Sequence, residues 1–163
     1  MQTITRRQPR EISSRLKRIL VPVDFSLASQ QTLDYARVLA RCFGSEITLL
    51  HAVQRIAPGV FQEVAPDLAA SEEEFEQAEH RLQQLAQKNL RNDSTPVQTL
   101  VRNGLAAHEI VEAAREIEAD LIVIATHGYT GWKHFCIGST TERVVRTAPC
   151  AVFVVRENEH EFI

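Results

Sequence analysis

The segment at residues 125–144 carries the residues best suited to bind an anion. It holds three of the six glycines within eleven positions, namely Gly128, Gly131 and Gly138. Hydroxyl side chains follow the last glycine directly, in Ser139, Thr140 and Thr141. A glycine-rich turn that enters a helix offers N–H groups without partners and the positive end of the helix dipole, and both suit a phosphate. These residues therefore predict phosphate binding.

A second interpretation of the same segment needs no ligand. Ser139 and Glu142 have the Ser-x-x-Glu spacing of a capping box, so Ser139 would cap the next helix and the glycines would only form turns. The segment also lacks both the Gly-Lys-Ser/Thr and the G-x-G-x-x-G fingerprints of the standard phosphate loops. Taken locally, the pattern leaves both interpretations open.

The loop that follows the first apolar run offers complementary chemistry. Pro22 is acceptable only at the end of a buried strand, because it lacks the N–H group that strand pairing requires. Asp24, two positions on, can accept hydrogen bonds from ribose hydroxyls or from an adenine amine. Ala52, at the end of the second apolar run, leaves room for a flat base. The alternative role for Asp24 is to cap the first helix.

The elements that would position these loops alternate along the chain. The patterns predict strands at 17–25, 46–53, 96–102, 120–126 and 150–155, and helices at 26–43, 71–91, 106–117 and 139–147. This alternation predicts an α/β fold, a Rossmann-like open parallel sheet of order 3-2-1-4-5 with helices on both faces. Such sheets bind ligands where the winding reverses, which is the crevice after strands 1 and 4. Both unusual loops follow those two strands.

The two loops together resemble the universal stress protein family, and the resemblance runs over residues 17–155. The ATP-binding branch of that family has G-x-x-G, nine residues, and then Gly-Ser or Gly-Thr. Here Ala125 to Gly128 is followed by nine residues and then by Gly138-Ser139, and the "PVD" and "LLHAV" stretches are also similar. Ala125 departs from the pattern, since a glycine is usual there. Its methyl group would narrow the approach to a ligand or shift the ligand without loss.

The resemblance implies a nucleotide site. It implies phosphate contacts from four residues: Gly128, Gly138, Ser139 and Thr140. It implies four neighbours of the adenosine: Pro22, Val23, Asp24 and Ala52. Four further residues complete the predicted site: Ile124, Ala125, His127 and Thr141. We expect the ligand to be ATP, with or without Mg²⁺. We expect no protein-bound metal, because His51, His127 and His134 lack the spacing of a metal site.

Composition limits the class of protein. Apolar residues make up 44% of the 163-residue chain, and no apolar run is long enough to span a membrane. The three cysteines lack C-x-x-C spacing, which favours a reducing compartment, so we expect a cytoplasmic protein. We divide the chain into a flexible basic extension (1–16), a nucleotide-binding domain (17–157) and a tail (158–163). The acidic domain makes nucleic acid an unexpected partner.

The sequence thus predicts a stress-response protein that binds ATP as a regulatory ligand. A Walker lysine, an arginine finger and paired carboxylates for Mg²⁺ are not recognisable, so we expect at most slow ATP hydrolysis. Two alternatives stay open: a dimeric interaction module of the same family without nucleotide, and a slow ATPase or phosphotransferase. The apolar last strand lies at a sheet edge, and the resemblance implies a homodimer formed through residues 152–155.

Overall fold

The structure, a computed structural model, describes residues 16–53, 71–90, 94–126 and 137–156. Strands and helices alternate in these residues in the following order: β1 (Arg18–Pro22), α1 (Leu27–Phe43), β2 (Glu46–Val53), α2 (Glu72–Leu90), β3 (Val97–Asn103), α3 (Ala106–Glu116), β4 (Leu121–Ala125), α4 (Ser139–Thr147) and β5 (Ala151–Val155). None of the described helices is long and apolar enough to cross a lipid bilayer. The predicted extension, apart from Leu16, and the predicted tail lie outside the described residues.

The five strands form one parallel sheet of order β3-β2-β1-β4-β5, which confirms the predicted fold class. β1 lies at the centre, where the winding reverses. It pairs with β2 along its whole length, and with β4 through Ile19 and Leu20. Beyond the pairs that join β1 to β4, both strands continue toward their carboxyl ends without pairing to each other. The crevice expected of such a sheet therefore lies between those two ends.

Apolar side chains cover both faces of the sheet, so the domain has three layers. On one face, α1 and α2 pack on the strands through residues such as Leu33, Ala36 and Leu82, all fully buried. On the other face, α3 and α4 pack through Ile110 and Val144. Burying a side chain of this size stabilises a fold by about 1.5–3 kcal/mol. The two cores fix the sheet and hence the loops at its carboxyl edge.

The first helix begins and ends where its sequence predicts. The Ser26 side chain accepts a hydrogen bond from the N–H of Ser29 (3.2 Å), so Ser26 is the N-cap. Gly44 ends the helix with a left-handed φ of 70°, and its N–H donates to the carbonyl of Ala40. A residue without a Cβ adopts that conformation at little cost. The start of α1 fixes the direction in which the preceding loop leaves β1.

At the amino ends of the strands, which we call the amino edge of the sheet, backbone groups are held by hydrogen bonds within the chain. A carboxylate oxygen of Asp120 accepts from the backbone N–H groups of Lys17 (2.7 Å) and Arg18 (3.0 Å). The Asp120 N–H in turn donates to the Arg18 carbonyl (2.9 Å). The Ser45 hydroxyl donates to the carbonyl of Leu16 (2.7 Å), and Leu16 packs against the core although the sequence placed it in the extension.

Candidate functional site

A cleft of about 260 Å³ opens at the carboxyl edge of the sheet, between β1 and β4. Its volume is just under the roughly 300–1,000 Å³ of typical ligand pockets. All of the predicted site residues that the structure describes line this cleft: Pro22, Val23, Asp24, Ala52, Ile124, Ala125, Gly138, Ser139, Thr140 and Thr141. His127 and Gly128 lie outside the described residues. Residues far apart in the chain thus share one cavity, and their binding role stays a prediction.

The loop after β1 is held by hydrogen bonds at almost every residue. Pro22 is the last residue of β1, and the Val23 N–H donates to the Leu50 carbonyl (2.7 Å). One carboxylate oxygen of Asp24 accepts from the N–H (3.0 Å) and the hydroxyl (2.6 Å) of Ser26. The N-cap of α1 is Ser26 itself, so the idea that Asp24 caps this helix is wrong. Asp24 instead orients the residue that does.

Phe25 adopts an unusual backbone conformation in this loop. Its φ is 64°, in the left-handed region that residues with a side chain rarely occupy. Such a conformation costs about 1–3 kcal/mol and persists only where the surroundings enforce it. Nothing in the sequence signals it, because glycine or asparagine would be the usual residue there.

His51 links the second strand to the same loop. Its Nδ1 lies 2.7 Å from the carbonyl oxygen of Val23, and a carbonyl only accepts, so Nδ1 carries the proton. The imidazole also contacts the Phe25 ring, with centroids 4.5 Å apart. Burial lowers the pKa of His51, and Arg81 lowers it further, while the bond to Val23 and the charge of Asp24 act in the opposite direction. His51 is therefore neutral near pH 7.

The start of α4 forms the opposite wall of the cleft. Gly138 is the N-cap residue and makes no side-chain cap, so the capping box predicted at Ser139 and Glu142 is wrong. Ser139 is instead the first residue of the helix, and Glu142 pairs with Arg146 (3.0 Å). The sequence does not distinguish a helix capped at Gly138 from one capped at Ser139, because serine and glycine are both acceptable at an N-cap.

Hydrogen bonds fix the position of this helix start. The Gly138 N–H donates to the Thr126 carbonyl (2.8 Å), and the Glu142 N–H donates to the Gly138 carbonyl (2.9 Å). The N–H groups of Ser139, Thr140 and Thr141 belong to the first turn, where a helix supplies no acceptor of its own. These are the groups that an anion in the cleft would satisfy.

Thr141 and Ala125, both predicted site residues, also make contacts within the fold. The buried Thr141 hydroxyl donates to the Ala125 carbonyl (2.7 Å), so its proton holds α4 against β4 and is not available to a ligand. Ala125 is the last residue of β4 and pairs with Val155. A strand residue needs no glycine for its conformation. The alanine at this position thus adds a methyl group to the cleft wall without backbone strain.

The remaining walls are mostly apolar, and the sequence interpretation missed several of them. The additional lining residues are Ser29, Leu50, His51, Ala106 and Ile110. Ala106 and Ile110 belong to α3, which begins after β3 at the same edge of the sheet. The helical spacing predicts that Ile110 is buried, but only the fold shows that Ile110 and Ala106 reach the cleft. An apolar wall opposite a polar loop is the usual design of a pocket for an organic ligand.

The whole domain matches known proteins. The family model described as the universal stress protein family matches residues 15–156. The universal stress protein MJ0531 of Methanocaldococcus jannaschii is 32% identical over 149 residues, covering 89% of this chain and 85% of that protein. The structure of universal stress protein UspA from Lactobacillus plantarum is 30% identical with a TM-score of 0.72, covering 88% of this chain and 99% of that one.

A more distant solved structure shares the fold. The universal stress protein from Archaeoglobus fulgidus in complex with dAMP is 23% identical, with a TM-score of 0.62, and covers 86% of this chain and 98% of that one. The family model spans nearly all of the domain that forms the five-stranded sheet. The chain belongs to the universal stress protein family.

Proposed function

We propose that this protein binds an adenine nucleotide, ATP, as a regulatory ligand in the cleft between β1 and β4. One observation carries the proposal. The residues of the first turn of α4, whose N–H groups have no acceptor within the helix, line the same cavity as the Asp24 loop. An anion would satisfy the first, and a hydroxylated sugar would suit the second.

The cleft suits the three parts of a nucleotide in order. Phosphates would lie at the start of α4, against Ser139 and Thr140, and the ribose hydroxyls would donate to Asp24. The base would pack on the apolar wall near Ala52, on the strand next to β1. A related fold solved with dAMP supports an adenine nucleotide as the ligand class.

A regulatory ligand fits the charges of this cleft better than a substrate does. Lysine and arginine are both missing from the described part of the cleft lining, and Asp24 is its carboxylate. Efficient phosphoryl transfer needs cations around the transferred group. We therefore infer that bound ATP, with or without Mg²⁺, signals by its presence and is hydrolysed slowly if at all.

We further propose a cytoplasmic homodimer. β5 is an edge strand of the sheet, and its residues Val152, Phe153 and Val154 are only half-buried. An apolar edge of this kind is a template for pairing with a second copy. The thiols of Cys42 and Cys150 are free, which fits a reducing compartment. Sedimentation should give a dimer at micromolar concentration, and a monomer would contradict the proposal.

Nucleotide analysis of the purified protein tests the main proposal. Heat-denatured protein should release adenine nucleotide, and nucleotide-free protein should bind ATP saturably in calorimetry, and more tightly than GTP. A preparation that releases no nucleotide and gives no heat with ATP would favour the interaction module. Turnover above the background of ATP and Mg²⁺, lost in Asp24→Asn but kept in Asp34→Asn on the surface of α1, would favour the slow enzyme.

A further inference from the structure

The left-handed backbone at Phe25 needs an external support, and the structure supplies one. Phe25 stands between Asp24 and Ser26, whose hydrogen bonds (2.6 and 3.0 Å) close a tight turn. The φ of 64° at Phe25 sets the direction of both neighbours. Whatever holds the Phe25 ring in place therefore also holds the carboxylate of Asp24.

Phe25 packs against the buried core, and among the described residues its ring also contacts His51 and Arg81 from other elements. The His51 imidazole of β2 lies 4.5 Å from it between centroids, tilted by 43°. The guanidinium carbon of Arg81, on α2, lies 4.1 Å from the ring centroid. That distance is within the range of a cation–π interaction, which needs about 6 Å or less. We call Phe25, His51 and Arg81 the ring cluster.

The ring cluster joins helix α2 to the cleft without entering it. Arg81 is an exposed residue and is not among the residues that line the cavity. His51 also holds the residue before Asp24, since its Nδ1–H donates to the Val23 carbonyl. Asp24 is thus fixed from both sides, through Val23 and through Phe25. Arg81 is the member of this arrangement that α2 contributes.

We propose that Arg81 is a positioning residue for the nucleotide site. Through the Phe25 ring it holds the loop in the conformation that presents Asp24 to the ribose, so that α2 sets ribose discrimination. This inference rests on the proposed function. If the loop leaves that conformation part of the time, the apparent affinity falls in proportion to the fraction that remains competent.

The test compares ATP with 2′,3′-dideoxy-ATP, which lacks the ribose hydroxyls that Asp24 would accept. Arg81→Met keeps the length of the stem but removes the cation. It should weaken ATP binding by about two- to fivefold, the equivalent of one exposed cation–π contact. Affinity for the dideoxy analogue should stay unchanged, so the preference for ATP should shrink. Arg81→Lys should restore part of that preference, because an ammonium also interacts with the ring face.

Lys88→Met is the matched control, since it removes an exposed cation from the same helix. It should leave both affinities and their ratio at the wild-type values. If wild type binds ATP but Arg81→Met keeps the wild-type ratio, the positioning role is wrong while the nucleotide proposal stands. An equal loss for both ligands, or the same loss in Lys88→Met, would also overturn it as a general structural effect. If wild type binds neither ligand, the proposed function fails and takes this inference with it.

Discussion

Backbone polar groups at the amino ends of the strands (the amino edge) find their partners within the chain, whereas those at the carboxyl ends (the carboxyl edge) adjoin an open cleft. At the amino edge, the Asp120 carboxylate accepts from the N–H groups of Lys17 and Arg18, and Ser45 donates to Leu16. The chain closes this edge with its own side chains. At the carboxyl edge, the first turn of α4 opens into a cleft, and the hydroxyl of Thr141 is turned away to Ala125.

Because of this difference, we expect the amino edge to contribute mainly to folding stability and the carboxyl edge mainly to ligand binding. A hydrogen bond that the chain makes to itself contributes to folding in every state of the protein. Donors that face a cleft contribute little until a ligand arrives, and they then contribute to affinity. Mutations at the amino edge should therefore change the unfolding free energy, and mutations at the start of α4 should change the affinity for ATP.

The largest effect is expected from Asp120→Ala at the amino edge. The change leaves two backbone N–H groups without their charged acceptor, which should lower the unfolding free energy by about 1.5–3 kcal/mol. The melting temperature should fall by roughly 3–12 °C for a domain of this size. ATP affinity should be unchanged. Asp120→Asn keeps an acceptor oxygen and should lose less unfolding free energy. If Asp120→Ala lowered ATP affinity as much as it lowers stability, the proposed difference between the two edges would be wrong.

Gly138→Val should have the opposite effect, lowering ATP affinity while leaving the protein folded. Gly138 has φ −59° and ψ 149°, a conformation that valine adopts readily, so the backbone tolerates the change. The branched side chain would occupy the cleft where phosphate is expected, and affinity for ATP should fall about tenfold or more. Calorimetry and thermal melting of the same samples measure both effects. A folded variant that binds ATP as tightly as wild type would show that Gly138 serves only the turn.

Ser139→Ala should have a smaller effect on the same binding reaction. Because Ser139 is the first helical residue and makes no cap, its hydroxyl should matter little for stability. One hydrogen bond to phosphate would be lost while the backbone donors remain, so affinity should fall by less than about tenfold. The measurement is the ATP dissociation constant beside the melting temperature. A drop in melting temperature with no change in affinity would restore the capping interpretation.

The smallest effect concerns pH at the carboxyl edge. Burial holds the pKa of His51 below its ordinary value of 6.5. The unfolded chain therefore binds the proton more readily, and stability should fall as the pH drops through about 6.5 and below. His51→Gln should lose less melting temperature than wild type between about pH 7.5 and pH 5.5. His80→Gln, at an exposed histidine of α2, is the control and should lose as much melting temperature over this range as wild type does.

The order of elements could be predicted because each signal is local. Ser26 and Gly44 mark the ends of α1, and Pro22 marks the end of β1. Apolar periods then fix the faces that pack, and the rules of parallel sheets fix the strand order. The cleft residues Asp24 and Gly138 could be predicted from the same logic, because both follow strands that end at the reversal of the winding.

The remaining features depend on contacts that only the folded chain makes. The start of α4 is fixed by the hydrogen bond from the Gly138 N–H to the Thr126 carbonyl, which the sequence does not reveal. The predicted cap, Ser139, therefore lies one residue too late. The ring of the left-handed Phe25 contacts the His51 ring of β2 and the Arg81 guanidinium of α2. The spacing of His51 argues against a metal site and indicates no other role, and its contact with the Val23 carbonyl is seen only in the fold. No spacing rule covers such pairs, because their partners come from other strands or helices.

The most direct test of the central claim is an ATP titration followed through backbone amide resonances. We expect the largest shifts at Ser139 and Thr140, which line the cleft in the first turn of α4. The amides of Lys17 and Arg18, which donate to Asp120, should not move. Saturation that leaves the α4 amides in place, or that moves the amino edge instead, would contradict the assignment of this cleft to the nucleotide.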